Sequence, residues 1–433
     1  MTTYWAPLLH IYQPPTQDIK ILREINKECY NPLFSVLDQN ENAKFTLNIN
    51  GVLIEMLYEF ELGDTMDLLK NLVSESKIEI VGTAKFHPIL PLIPTKEVYH
   101  QIQMNEEVNR KEFGNIWEKK GFFPPELAIS SKVAKIVGEL GYKWILQSGI
   151  ACPVEEKGVD WPYEKIYCSP NGLQLFFRDD ILSNKISFKQ ITPKEFVKTI
   201  RKIFLPNEKD STIKETKETN RYIISAMDGE TFGHHIKNYE KTFLGKTLEL
   251  LAEKDDIEVI FISDLDQYFP IAKKEIIPKE SSWSTSYADL LDEIPFPLWK
   301  HPDNNIHKYY WKIIKSLNNL MSFADSLDLT EKWEIENHYN TARWFYDRGL
   351  HSCPIWWANP QNGTWSPNLI YSGLELLLKA ALNAQMALIY AGREDGDANF
   401  DSISYYHGLL LMELYTITKK NLKHRKKHIK KID

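Results

Sequence analysis

Cysteine is scarce in this chain of 433 residues. Cys29, Cys152, Cys168 and Cys353 stand far apart, and no C-x-x-C pair occurs. That spacing excludes a disulfide framework and a cysteine-based zinc site, and reads as free thiols of a reducing compartment. Glycine is also sparse, at 19 residues, and no glycine-rich loop follows an apolar run. Nucleotide or nicotinamide binding of the phosphate-cradling kind therefore has no support. No apolar run suits a membrane span, because the longest, 374–391, is interrupted by Glu375, Lys379, Asn383 and Gln385. Residues 1–10 carry neither a basic n-region nor an apolar h-region, so the expected location is cytoplasmic. Basic charge is lacking too. The net charge is −7, although residues 419–433 hold eight Lys/Arg and one Asp, so the rest is more acidic still. An acidic body argues against nucleic-acid binding, and the basic end reads as a solvated helix terminus.

What is abundant is aromatic: 12 Trp, 21 Tyr and 20 Phe make up 12% of the chain. The first 270 residues alternate short β-branched runs with helical patterns, the α/β signature. Strands are expected at 5–10, 45–50, 78–81, 121–123, 144–147, 173–177, 222–227 and 257–262. Helical patterns lie at 66–75, 98–112, 132–140 and 241–251. Thr192-Pro193-Lys194-Glu195 spells an N-cap, a proline at the first helical position and a capping-box glutamate. Repeated strand–helix units favour a (β/α) barrel of seven or eight strands, though a doubly wound sheet obeys the same local rules. The pattern breaks at 271–282, which reads as a linker. From 283 onward only helical patterns appear, at 304–321, 335–348, 367–391 and 403–418, with Ser366-Pro367 as another N-cap pair. The expected domains are thus a barrel (1–270), a linker (271–282) and a helical bundle (283–433). The polar segment 207–220 reads as an exposed loop within the barrel.

Polar residues where strands end are the first place to look for chemistry, because the loops after barrel strands build the active site. The run Phe122-Phe123-Pro124-Pro125-Glu126 stiffens the backbone immediately before a carboxylate. The strand at 222–227 runs into Asp228-Gly229-Glu230-Thr231-Phe232-Gly233-His234. Two carboxylates at one mouth are what glycoside hydrolysis needs, one to attack or to activate water and one to protonate the leaving oxygen. Each is also what a helix-capping or surface-paired carboxylate looks like. The first strand ends in His10-Ile11-Tyr12-Gln13-Pro14, which offers directional hydrogen bonds suited to sugar hydroxyls. The run KIEIVGTAKFHPILP puts Glu79 inside an apolar strand and His87 in the loop beyond it. A buried Glu79 needs a partner, whether protein or sugar.

In their order and spacing these four segments resemble the motifs of glycoside hydrolase family 57, which includes α-amylase, 4-α-glucanotransferase and branching activities. HIYQP matches the first motif, EIVGTAKFHPILP the second, FFPPE the third and DGETFGH the fourth. The resemblance implies an incomplete (β/α)7 TIM-like barrel followed by an α-helical bundle, and a retaining double displacement on α-1,4-linked glucans. It implies Glu126 as nucleophile and Asp228 as acid/base, about 5–5.5 Å apart, with the Asp228 pKa raised. His10, Tyr12, Gln13, Glu79, His87, Glu230, Phe232 and His234 would contact substrate or orient the carboxylates. Tyr12 replaces a motif histidine, and Phe122 or Phe123 replaces a motif tryptophan. The fifth family motif is not identifiable.

No metal or cofactor is expected. A metal-dependent deacetylase would need an Asp-Asp pair after the first strand and a His-x-x-x-His helix face, and neither occurs. The alternatives left open are a non-catalytic glucan-binding homologue and an α-galactosidase of the same family. Hydrolysis, transfer and branching share one glycosyl-enzyme intermediate and are not separated by these motifs, nor is the oligomeric state defined. Trp283, Trp356 and Trp357, in turn-rich segments, are the aromatic faces expected to stack on an oligosaccharide between barrel and helices.

Overall fold

The computed structural model describes residues 2–202 and 219–429. The backbone divides into two compact units, one comprising Met1–Lys85 and Leu90–Trp283, the other Phe86–Ile89 and Ser284–Asp433. The segment 271–282, expected as a linker, lies within the first unit, where Ile271 bridges Ile166 and Ser281 bridges Ile129. Most of the expected loop at 207–220 falls outside the described residues.

The first unit is built on strands β1 (Thr3–Ile11), β2 (Phe45–Ile49), β3 (Ile78–Ile80), β4 (Gly121–Phe122), β5 (Trp144–Gln147), β6 (Tyr167–Cys168), β7 (Gln174–Phe177), β8 (Arg221–Asp228) and β9 (Ile257–Val259). β1 is the pivot. It pairs in parallel with β8 from Thr3↔Arg221 to His10↔Asp228, with β9 along its first three residues, and with β2 from Leu8 to Ile11. β2 continues to β3, and a second sheet runs β4-β5-β7 in parallel with β6 antiparallel at its edge. A parallel bridge between Gly82 and Phe122 joins the two sheets. The Asp179 N–H donates to the Ile224 carbonyl at 2.8 Å, bringing the exit of β7 back to β8. Seven parallel strands, in the order β8-β1-β2-β3-β4-β5-β7, therefore form an incomplete (β/α)7 barrel, with the short β9 parallel beside the start of β1. All nine residues of β1 are buried, as a strand covered on both faces requires.

The eight strands read from the sequence are all present. β6 was not anticipated, nor were the helices Gly51–Glu59 and Asp180–Ser187 or the helical segment at 19–38. That last stretch is Ile19–Ile25, a π-helical turn Asn26–Tyr30, then Asn31–Asp38. The wider turn shifts the apolar phase, which hides a 3.6-residue period. The Thr192 capping box forms as expected, with Thr192 N–H and Oγ1 donating to Glu195 Oε2 at 2.9 and 2.8 Å.

Side-chain alternation sets what faces inward. Tyr4, Ala6 and Leu8 of β1, Trp144 and Leu146 of β5, Phe176 of β7, and Tyr222, Ile224 and Ala226 of β8 share one buried core. Two residues further along, the same faces carry His10, Arg178 and Asp228. The apolar interior thus ends in a polar layer at the carboxyl ends of the strands.

The second unit is helical: Asn305–Ala324, Trp333–Gly349, Pro367–Tyr390 and Asp397–Ile429. Trp333–Gly349 packs along Pro367–Tyr390, and Asn305–Ala324 along Asp397–Ile429. Asn304 caps its helix through Oδ1, which accepts from Ile306 and His307 N–H at 3.0 and 3.2 Å. Ser366, by contrast, makes no side-chain cap, so Pro367 at the first position is the only start signal there. No described helix is long and apolar enough to cross a membrane.

The seam between the sheets leaves no room for side chains. A Cβ at Gly121 would lie 2.0 Å from the Trp144 ring, and one at Gly82 would lie 2.1 Å from the Tyr142 hydroxyl. Both rings are buried. Gly121→Ala is expected to lower unfolding stability by about 1–3 kcal/mol through overpacking, measured as a reduced urea midpoint with an unchanged m-value.

Candidate active site

Glu126 sits in a single turn, Pro125–Leu127, immediately after β4. Its backbone is left-handed, with φ 60 and ψ 18, and Leu127 follows at φ 47. Two consecutive non-glycine residues in this region cost about 1–3 kcal/mol each and persist only where neighbours over-determine them. Those neighbours are visible. The Trp283 backbone N–H donates to the Glu126 carbonyl at 3.1 Å, and its indole Nε1 donates to Glu126 Oε2 at 2.7 Å. Leu127 is fully buried in the barrel core, and Ile129 N–H donates to the Ser281 carbonyl at 2.9 Å. Segment 281–283 therefore clamps the turn through backbone and side chain together.

Asp228 closes β8 beside His10, its register partner on β1. His10 Nδ1 lies 2.5 Å from Asn48 Oδ1, and because that oxygen only accepts, Nδ1 carries the hydrogen. The imidazole is parallel to the Phe123 ring (4.9 Å, 13°) and to Tyr12 (6.2 Å, 19°), with Trp283 edge-on at 5.9 Å. Burial holds the His10 pKa below its usual value, so this ring is neutral near pH 7. Arg178 is 4% exposed and strongly tethered. Its Nε donates to the Ala226 carbonyl at 2.6 Å, and its two terminal nitrogens to Asp180 and Asn184 at 2.9 and 2.8 Å. Its guanidinium lies 5.7 Å from the centre of the Trp283 ring.

Three carboxyls share this buried space. Burial, then the Asp228 charge, pushes Glu126 up to about 8, against the Trp283 hydrogen bond. Burial and the Asp228 charge likewise push Glu230 up to about 7. Asp228 is raised by burial, while His10 and Arg178 pull it back. Like charges this close cannot all ionise near neutrality, so the cluster retains a proton. The sequence-based expectation that Asp228 is raised holds in direction, and Glu126 is raised beside it.

Residues 3–278 match the family model described as glycosyl hydrolase family 57. The chain belongs to that family. Among curated proteins it is 27% identical over 256 residues to a putative alpha-amylase of Methanocaldococcus jannaschii, covering 57% of this chain and 51% of that one. It is 24% identical to an alpha-amylase of Pyrococcus horikoshii (73% and 46% covered) and 22% identical to a 4-alpha-glucanotransferase of Thermococcus litoralis (60% and 38%). The chain thus spans about half the length, or less, of these relatives. Among solved structures, a family 57-type branching enzyme from Pyrococcus horikoshii superposes with TM-score 0.72 at 15% identity, with 94% of each chain covered. The 4-alpha-glucanotransferase from Thermococcus litoralis gives 0.62 at 18% identity, covering 88% of this chain and 60% of that one.

The expected site residues of this family 57 chain divide into two groups. Glu126, Asp228, His10, Tyr12, Gln13, Glu230 and Trp283 come together. Glu230 Oε1 accepts from Tyr30 OH at 2.6 Å, from Gln13 Nε2 at 3.1 Å and from Tyr12 N–H at 3.4 Å. It therefore ties the loops after β1 and β8 to each other, in place of the substrate contact expected. Glu79 lies elsewhere, in the layer of Leu8 and Thr46, where it accepts from Ser263 Oγ at 2.8 Å and faces Lys120 at 3.8 Å. That partner is protein rather than sugar, and burial still pushes Glu79 up to about 7. Phe232, expected to stack on a sugar, is 1% exposed and stacks on Tyr239, so its face serves the core. His234 pairs with Glu28 at 3.3 Å. His87 belongs to the second unit, with Nδ1 at 2.9 Å from Ser352 Oγ. Trp356 and Trp357 lie in that unit too, half-buried and edge-on at 4.9 Å.

Arg178, Asn48 and Tyr30 escaped the sequence reading. Arg178 follows the apolar run Gln174–Phe177, the same signal that exposed Asp228, and Asn48 breaks the apolar pattern of β2. Tyr30 ends the π turn and has no comparable signal. Gly233 adapts to that turn: its φ is 122, and a Cβ would lie 2.0 Å from the Glu28 carbonyl oxygen.

Glu126 carries a stability consequence. Its folded pKa of about 8 exceeds the ordinary 4.5, so between those values only the unfolded chain is ionised. Folded stability contributed by this group is then lost as pH rises from 4.5 towards 8. Glu126→Gln is expected to melt higher than the unmodified chain at pH 8, with the gap closing towards pH 4.5. A thermal-melt series across that range checks it, and a pH-independent gap contradicts the assignment.

Proposed function

We propose that this chain acts on α-1,4-linked glucans by a retaining double displacement, with Glu126 as nucleophile and Asp228 as acid/base. The observation that carries the reading is the pair itself. Two half-buried carboxyls from the ends of β4 and β8 face each other's charge at the carboxyl end of a barrel, and both are raised above their ordinary pKa values. The amylase and glucanotransferase names of the relatives supply the substrate class.

In the first step Glu126 attacks the anomeric carbon while Asp228 gives its proton to the departing glycosidic oxygen. The Glu126 carboxylate becomes a neutral glycosyl ester, and the Asp228 carboxylate remains. In the second step Asp228 takes a proton from water or a sugar hydroxyl, whose oxygen attacks the anomeric carbon and frees Glu126. The Trp283 indole holds the Glu126 oxygen in place and stabilises its charged form. Without sugar, the Arg178 guanidinium favours ionised Asp228, while burial favours a protonated Glu126. Binding the glycosidic oxygen against Asp228 draws the proton across and prepares both groups. Water or a sugar acceptor in the second step distinguishes hydrolysis from transfer.

Incubation with maltoheptaose tests this. Glu126→Gln and Asp228→Asn are each expected to lower kcat by about a thousandfold or more, with melting behaviour showing intact folds. NMR of the first-formed product should show the α-anomer. In the unmodified chain kcat/KM should fall above pH near 8, as the pair loses its last proton. Near-normal turnover by Glu126→Gln, or a β-anomer formed first, overturns the mechanism.

A further inference from the structure

One helix of the second unit, Trp333–Gly349, presents aromatic rings to solvent where a bundle helix ordinarily presents charge. Trp333 is 70% exposed and Trp344 49% exposed. They are eleven residues apart, which on an α-helix returns to nearly the same side about 16.5 Å further along. Between them, on that side, stand Asn337, Asn340 and Thr341, and together with Phe345 these residues border a concavity of about 600 Å³. The Trp344 ring is held rather than loose. The Arg348 guanidinium lies 3.7 Å from its centre, and Phe345 packs edge-on at 4.8 Å.

We infer that this helix face is a second, non-catalytic carbohydrate-binding site that holds a linear α-glucan chain across Trp333 and Trp344. The inference rests on the α-glucan reading above for the identity of the sugar. Its chemistry is that of sugar recognition. Flat indole faces meet the C–H faces of pyranose rings, and carboxamides and a hydroxyl between them both donate to and accept from sugar hydroxyls. No aliphatic side chain lines the concavity, and Glu336 is its only charged residue. A helix-docking protein groove would be lined by aliphatic residues, and a nucleic acid or anionic membrane would need cations. The exposed stripe Tyr405, Leu411, Met412 and Tyr415 on Asp397–Ile429 is the contrasting case, because it mixes aromatic with aliphatic groups. The separation of the two rings calls for several linked sugars, so the site selects polymer over short oligosaccharide. Tethering the polymer raises the effective concentration of chain near the enzyme.

The test uses the full chain carrying Glu126→Gln, so that polymer is not consumed, with and without W333A and W344A together. In affinity electrophoresis through amylopectin, the two tryptophan substitutions are expected to weaken apparent binding by about tenfold or more. Substituting phenylalanine at both positions should restore part of it, and separates lost stacking from misfolding. In the active chain W333A/W344A should raise KM for amylopectin and leave kcat unchanged. With maltotriose, too short to bridge the rings, kcat/KM should not change. Equal retardation with and without the tryptophans overturns the inference, as does an active chain that cleaves maltooligosaccharides but shows no retardation as Glu126→Gln. Absence of both cleavage and retardation would instead remove the α-glucan reading itself.

Discussion

The double grip of Trp283 on Glu126 is the constraint from which the site follows. A carboxylate at a left-handed backbone position, half-buried and beside another carboxylate, opposes local preference in three ways at once. Two prolines before it narrow the conformations open to the turn, and Leu127 anchors it in the barrel core. The remaining control comes from one residue that binds both the Glu126 carbonyl and its carboxyl. Trp283 is itself placed by the chain crossing back from Ile271 to Ser281 over the second sheet. That is why this stretch, without periodicity of its own, belongs to the barrel.

Electrostatics then divides the work among groups of the same type. Glu126 and Asp228 are half-buried carboxyls and Glu230 a buried one, and their partners differ. Glu230 accepts from Tyr30, Gln13 and the Tyr12 backbone through Oε1, and holds two loops together. Asp228 faces a neutral imidazole and a guanidinium fixed by three hydrogen bonds. Glu126 accepts from the Trp283 indole N–H in a low-dielectric surround. Arg178 touches this division twice, through its charge on Asp228 and through its stacking on Trp283. A cation held by three hydrogen bonds from three different nitrogens is kept from turning away from the site, so its field on Asp228 is steady.

The barrel was legible because its strands are apolar runs of β-branched and aromatic residues, and because period-two alternation carries the eye from Ala226 to Asp228 and from Leu8 to His10. The two carboxylates were legible for the same reason. What the sequence concealed was partnership. Nothing in KIEIV distinguishes a Glu79 aimed at a sugar from one bonded to Ser263, which lies 184 residues away. Phe232 and Trp283 look alike as aromatic residues near turns, and only packing separates a buried ring from one that donates to Glu126. Tyr30 was hidden by a π turn that changes the helical phase at the point where its hydroxyl is delivered. Arg178 carries the same strand-end signal as Asp228, but its tethers Asp180, Asn184 and the Ala226 carbonyl become visible only in the fold.

The aromatic abundance answers three different physical needs. Inside the barrel, Tyr4, Trp144, Phe176 and Tyr222 fill a tapering interior with stiff volume, which suits a short-stranded sheet that closes only in part. At the strand ends, Phe123, Tyr12 and Trp283 surround His10 with flat surfaces, and the Trp283 indole also donates to Glu126. On the second unit, Trp333 and Trp344 are exposed with amides between them. Rigidity is what these settings share. A ring has few rotamers to lose, so it can brace a strained turn or wait in solvent for a ligand at little entropic cost. Aliphatic side chains of equal area would pack the interior nearly as well. They could neither donate to Glu126 nor offer a sugar ring a flat face, and those two uses account for tryptophan at the positions where packing alone does not require it.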